Sequence, residues 1–167
     1  MARALIVGCG CRGRMLGERL LADGWRVRGT SRREDALAAI EAAGIEPALA
    51  DPEQPGTVLD LVADVAVVYW LLGSARGEPA ALTAIHGERL EGLLERLVET
   101  PVRGFVYEAR GSVEGAIVKR GSSIVRAAAE RWRVPIAVVE SDPADTDAWL
   151  ADTLAAQPSA SSAGDAI

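Results

Sequence analysis

Short β-branched runs alternate along this chain with longer Ala, Leu, Arg and Glu stretches whose apolar positions recur every three or four residues. That alternation is the pattern of βαβ units and a parallel sheet. It predicts strands over 4–7, 26–29, 46–50, 65–70, 104–107 and 136–139. Between them it predicts helices over 12–23, 33–43, 57–62, 82–99 and 122–132. A last amphipathic helix is expected over 145–156, anchored by Trp149. Gly24 and Gly44 stand where the first two helices need a left-handed closing residue, and Pro101 and Pro135 stand just before the fifth and sixth strands. Six strands in this order make a complete α/β sheet, doubly wound, with helices on both faces in three layers.

Composition narrows the class. The chain has 167 residues, 49% of them apolar, which suits one domain with a single core; we place it over 1–156. Residues 157–167 are a Pro/Ser/Ala/Gly tail without material for a core, and disorder is expected there. There is no solenoid-type repeat. A net charge of −6 argues against nucleic acid as a partner, because phosphate neutralisation needs a clustered excess of Lys and Arg. The longest apolar run, from Val65 to Leu72, is far short of the ~20 residues that span a bilayer. The first residues lack the pattern of a secretion signal, so a cytoplasmic protein is expected. Cys9 and Cys11, two apart, are too close for a disulfide and too few for a structural zinc site; they read as small fillers.

The first strand runs directly into Gly8-Cys9-Gly10-Cys11-Arg12-Gly13, a G-x-G-x-x-G that also opens the first helix. In that context each glycine has a purpose: Gly8 for the tight turn, Gly10 for close approach of a pyrophosphate, Gly13 for packing of helix on strand. The helix N-terminus adds free N–H groups and partial positive charge. The plain alternative is a tight glycine turn that binds nothing. At the end of the second strand an NAD-specific site would carry an acid for the ribose 2′-hydroxyl. This chain instead has Thr30, Ser31, Arg32 and Arg33. Hydroxyls and guanidinium groups suit a 2′-phosphate, so NADP(H) is expected over NAD(H). The competing reading has Ser31 capping the second helix and the arginines solvated.

With these residues in place, Ala4-Leu-Ile-Val-Gly-Cys-Gly-Cys-Arg-Gly, Val27-Arg-Gly-Thr-Ser-Arg and Phe105-Val-Tyr together resemble the atypical and extended branches of the short-chain dehydrogenase/reductase superfamily, including epimerase-like and NmrA-like proteins. The resemblance runs from Ala2 to about Asp142 and implies a Rossmann fold. It implies that Asp51 approaches the adenine, although Asp51 reads equally well as a turn residue before Pro52. It further implies that Leu71, Leu72 and Gly73 line the adenosine and ribose side. The family's catalytic Tyr, with Lys four residues on, is missing: Gly73 and Gly111 stand four after Tyr69 and Tyr107. Laid on the family's helix, the pair falls at about Glu114 and Val118. Lys119, the only lysine, is one residue off, about 100° around a helix. The family's serine is replaced near Ala109 or Arg110. Extended relatives append a substrate region after the sheet, where this chain has about 25 residues.

Glu108, Arg110, Ser112 and Glu114 cluster after the fifth strand, at the edge where open α/β sheets bind ligands. A carboxylate there could work as acid or base if burial raised its pKa, but a loop of solvated charges is the reading favoured. His86, alone in a helical stretch, reads as a surface or partner-packing residue rather than a catalyst. The catalytic residue and the substrate are both unknown from the sequence, and no metal site is expected. Three functions follow: an NADP(H)-dependent oxidoreductase acting on a small molecule, a non-catalytic NADP(H) sensor, or an interaction protein with a decayed cofactor site. The stretch 82–99, with Leu82, Ile85, Arg89, Leu90, Leu93, Leu94, Leu97 and Val98, carries an apolar stripe that suits core packing, with homodimerisation as a second role.

Overall fold

The computed structural model describes residues 1–158. Its elements follow in the order β1 Arg3–Val7, α1 Cys11–Ala22, β2 Arg26–Ser31, α2 Leu37–Ala42, β3 Glu46–Leu49, α3 Pro55–Leu59, β4 Val67–Trp70, α4 Pro79–Ile85, α5 Glu88–Leu97, β5 Gly104–Glu108, α6 Gly115–Trp132, β6 Ile136–Val139 and α7 Thr146–Ala155. The strands form one parallel sheet in the order β3-β2-β1-β4-β5-β6. This is the doubly wound Rossmann order, and the order reverses between β1 and β4.

Strand alternation builds two cores. Leu5, Val7, Val68, Trp70, Phe105 and Tyr107 face one side and meet Val58 of α3, Ile85 of α4, the α5 leucines and Val125 of α6. Ala4, Ile6, Val67, Tyr69 and Val106 face the other side and meet Leu16 and Leu20 of α1, Ile40 of α2 and Trp149 of α7. The central strands are therefore apolar on both faces, as a covered parallel sheet requires. At the sheet end opposite the glycine loop, Arg3 and Arg28 share the carboxylates of Glu46 and Asp64.

All six strands fall within two residues of their expected ends, and four helical regions depart from expectation. The region 33–43 opens with a 3-10 turn, Glu34–Ala36, before α2. The third helix lies at Pro55–Leu59, earlier than 57–62, because Pro55 suits the first helical turn. The region 82–99 is two helices, broken at His86 and Gly87, where the Gly87 backbone has φ −126 and ψ −114. Helix α6 starts at Gly115, seven residues before the expected Ser122. The α5 leucines pack into the core. Of the expected tail, residues 159–167 lie outside the described residues.

Candidate functional site

At the carboxyl ends of β1, β2, β4 and β5 lies a cleft of about 590 Å³. Its floor is the turn from β1 into α1. Gly8 takes φ +85, and a Cβ there would stand 2.5 Å from the Leu71 carbonyl oxygen. A Cβ built on Gly13 would stand 3.1 Å from the Gly8 carbonyl oxygen and 3.3 Å from Ile6, so the missing side chain lets α1 approach β1 closely. Gly10 differs from both. It is exposed, and a Cβ built on it meets no protein atom within 4 Å. Helix α1 begins immediately after it, with no side-chain cap and no acid in its first turn. Arg12 and Arg14 occupy that turn instead, against the sense of the helix dipole.

The sequence-designated residues Gly8, Cys9, Gly10, Cys11, Arg12, Gly13, Thr30, Ser31, Arg32, Arg33, Asp51, Leu71 and Leu72 all border this cleft. Gly73 lies behind the wall, its N–H donating to Glu108. Cys9 is a buried filler whose thiol is pushed up to about 12 by burial, with Arg14 pulling the other way. Cys11 departs from the filler reading: it is exposed as the first residue of α1. Ser31 does not cap a helix; its Oγ accepts the Arg33 N–H at 3.1 Å within the turn that follows β2. Arg32 reaches across to the Arg76 carbonyl, and Arg33 pairs with Asp35 at 3.4 Å. Asp51 Oδ1 accepts from Glu53 N–H at 3.0 Å, so a turn role is real, and the residue also borders the cleft.

Sequence reasoning missed Arg14, Arg76 and Trp149 as cleft residues. Arg14 was visible as a second cation in the first turn of α1; the other two arrive only through tertiary packing. The cleft is lined by five arginines, Arg12, Arg14, Arg32, Arg33 and Arg76, against three carboxylates, Asp51, Glu53 and Glu108. A chain of net charge −6 thus folds into a locally cationic pocket.

Two buried polar groups correct the sequence reading. Glu108 is 1% exposed rather than part of a solvated loop, whereas Arg110, Ser112 and Glu114 are exposed. Alternation along β5 explains this: Glu108 follows Val106 on the α1/α7 face. Its Oε1 accepts the Gly73 N–H at 2.9 Å and its Oε2 accepts the Trp149 indole N–H at 2.8 Å. Burial pushes its carboxyl above the usual range, opposed by Arg12 and by the two N–H bonds.

His86 is fully buried rather than at a surface. Its Nε2–H donates to the Leu72 carbonyl at 2.9 Å, leaving Nδ1 to accept the Tyr107 hydroxyl at 2.6 Å. Both bonds are met by neutral imidazole, and burial holds its pKa below the usual value, opposed by the Leu72 bond. The ring fills the break between α4 and α5 and braces Leu72 from behind. Tyr107 is thereby committed on the face away from Glu108, and Lys119 is exposed on α6. Among the described residues there is no cluster of His, Cys, Asp and Glu able to hold a metal ion, and no helix long and apolar enough to cross a membrane.

The sequence matches no protein-family model and no curated protein. Solved structures do match. BdcA (YjgI) from E. coli superposes with a TM-score of 0.73 at 18% identity, over 94% of this chain and 91% of that one. UDP-glucuronic acid 4-epimerase from Bacillus cereus, in complex with NAD, gives 0.67 at 16% identity over 84% and 56%. A short-chain dehydrogenase/reductase superfamily protein from Agrobacterium tumefaciens, with bound NAD, gives 0.66 at 20% over 81% and 48%. This chain spans about half the length of the latter two. At these identities the likeness is one of fold: the chain has the Rossmann architecture of short-chain dehydrogenase/reductase and epimerase proteins.

Proposed function

We propose that the chain binds a nicotinamide dinucleotide in this cleft, NADP(H) in preference to NAD(H). The observation that carries the reading is Gly10. It is exposed at an uncapped helix N-terminus, with open cleft where a side chain would stand. Two cations in the first turn of α1 oppose the helix dipole at ~0.3–1 kcal/mol each, and an anion bound there reverses the sign of that term. The pyrophosphate is assigned to the N–H groups of Gly10 to Gly13, with Arg12 beside it. Leu71 and Leu72 flank the adenosine, with Asp51 at its outer end, and Gly73 supports that wall from behind.

Thr30 and Ser31 end β2, and Arg32 and Arg33 follow it, where the adenosine ribose lies in this fold. Thr30 is buried and its carbonyl accepts the Cys9 N–H, so its role is to hold the turn. Ser31 Oγ and the Arg32 guanidinium are assigned to the 2′-phosphate, and Arg32 exchanges the Arg76 carbonyl for a charged partner. A bound nicotinamide supplies hydride transfer, and the protein then needs only to orient it and provide a proton. An oxidoreductase acting on a small molecule is the primary reading. A non-catalytic redox sensor is the alternative, favoured by the burial of the Tyr107 hydroxyl against His86. A cytoplasmic location stays with either.

Trp149 borders the cleft, so its fluorescence serves as the binding signal. Titration with NADP+ and NAD+ is expected to give at least tenfold tighter NADP+ binding, and Arg32→Ala is expected to remove most of that difference, ~1.5–3 kcal/mol for a charge-assisted contact. Tighter NAD+ binding refutes the preference, and absence of binding refutes the function. Oxidation of bound NADPH by a panel of aldehydes and ketones separates the enzyme from the sensor.

A further inference from the structure

Of the three carboxylates that line the cleft, Glu108 is the one that burial removes from water. Its surroundings are specific. From the loop after β4 comes the Gly73 N–H at 2.9 Å, and from α7 the Trp149 indole N–H at 2.8 Å. From α1 comes Arg12, whose guanidinium stands 5.8 Å from the centre of the Trp149 ring and whose buried Nε has no partner. The paired position on β6 is Val139, which offers no charge. The neighbouring Tyr107 hydroxyl points to the opposite face and bonds His86, and Arg110, two residues on, pairs with Asp142 at 3.4 Å. Arg12 makes no ion pair with Glu108 within 4.0 Å, but it stands over the Trp149 ring whose N–H binds the carboxyl, so it is the cation placed to offset a charge on Glu108 through space.

The same Arg12 lies in the first turn of α1, beside the proposed pyrophosphate site. One guanidinium cannot serve both anions fully. When a pyrophosphate takes its charge, a carboxylate at Glu108 is left buried with only two neutral N–H donors, next to added negative charge. A proton relieves this, and each carboxyl oxygen keeps one lone pair to receive it.

We propose that Glu108 is the proton-holding group of this cleft, taking a proton from solvent when an anionic dinucleotide occupies the α1 N-terminus and engages Arg12. The loaded cleft then carries a neutral carboxyl at its inner end, a donor for the oxygen of a small carbonyl ligand. The role that the absent tyrosine and lysine leave open falls to one acid whose charge state is set by the ligand. The inference rests on the dinucleotide reading, and its test tells the two apart.

NADP+ is titrated calorimetrically into the full chain at pH 7 in PIPES and in Tris, whose ionisation heats differ widely. The wild type is expected to take up as much as about one proton more than Glu108→Gln does, with affinity falling by up to about tenfold per pH unit above neutrality. Titration of the 2′-phosphate is common to both proteins and cancels. In Arg12→Met the carboxyl has no cation to lose on binding, so the NADP+-linked uptake is expected to fall with Glu108 still present. If Glu108→Gln does not fold, the infrared difference spectrum of the wild type decides: a protonated-carboxyl carbonyl band appears on NADP+ binding and is weaker in the Arg12→Met difference. Binding with the same proton balance in wild type and Glu108→Gln, or binding without the infrared band, overturns the proposal. No binding of NADP+ or NAD+ removes the dinucleotide reading itself, and the proposal with it.

Discussion

Gly10→Ala separates what the fold needs from what a ligand needs. At Gly10 φ is −82 and ψ is −155, a conformation open to alanine, and the new methyl meets no protein atom within 4 Å. Two small terms oppose each other. Alanine is a poorer N-cap than glycine by about 0.5–1 kcal/mol, while the loss of unfolded-state freedom returns about 0.4–1 kcal/mol. The net change is within ~0.5 kcal/mol, about 2 °C in Tm for a chain of this size. Gly8→Ala is the contrasting control. Its φ of +85 costs ~1–2 kcal/mol, and its Cβ would stand 2.5 Å from the Leu71 carbonyl oxygen, a backbone atom that can yield only by moving β4. Overpacking of that kind adds ~1–3 kcal/mol, so a Tm loss of about 5–15 °C is expected. For dinucleotide binding the order differs. Gly10→Ala places a methyl where the pyrophosphate would approach, and affinity should fall at least tenfold, about 1.4 kcal/mol. Thermal melts and Trp149 fluorescence titrations measure both. Gly10→Ala with wild-type affinity would refute the phosphate cradle, and a Gly10→Ala protein that melts like Gly8→Ala would refute the open geometry assigned to that residue.

Three more outcomes are expected. Tyr107→Phe leaves His86 Nδ1 buried without its donor and should cost about 1–3 kcal/mol in urea denaturation; a neutral effect refutes the network. Because burial holds the His86 pKa below 6.5, the unfolded chain binds a proton that the native chain refuses, so this group's contribution is full above pH 6.5 and declines as pH falls toward the lowered folded value. Denaturant midpoints between pH 7.5 and 5 should show this loss, and a midpoint that rises on acidification in the wild type but not in His86→Phe contradicts it. Iodoacetamide should label Cys11 and spare Cys9, and NADP+ should slow the labelling of Cys11, which mass spectrometry of the digested protein reads directly; equal labelling with and without NADP+ would place the ligand elsewhere.

The sequence by itself determined the six strands, their membership of a parallel doubly wound sheet and the glycine turn. Those features come from local periods and local backbone demands. A short unbroken run of Val, Ile and Leu means a strand covered on both faces, and Gly8 at a positive φ means a tight turn, whatever lies around them. Helix ends were read less well for the same reason. Nothing local distinguishes a continuous helix over 82–99 from two helices broken around a buried histidine, because the break is stabilised by Leu72 and Tyr107, which are remote in the chain. The N-terminal start of α6 at Gly115 was hidden by its glycine and polar residues.

Tertiary structure alone decided the chemistry of the inner cleft. Glu108 looked like the first of a run of loop charges, and its spacing from Val106 was the one hint that it turns inward. Its partners Gly73 and Trp149 lie 35 and 41 residues away, and Arg12 comes from the far end of the chain. Burial, and with it the charge state of a carboxyl, is a property of what surrounds a group in space. A chain that is acidic overall could likewise gather five arginines on one cleft only by bringing the ends of β2, β4 and α1 together. The glycine turn was legible in the sequence, and the packing of distant segments set the charges that surround it.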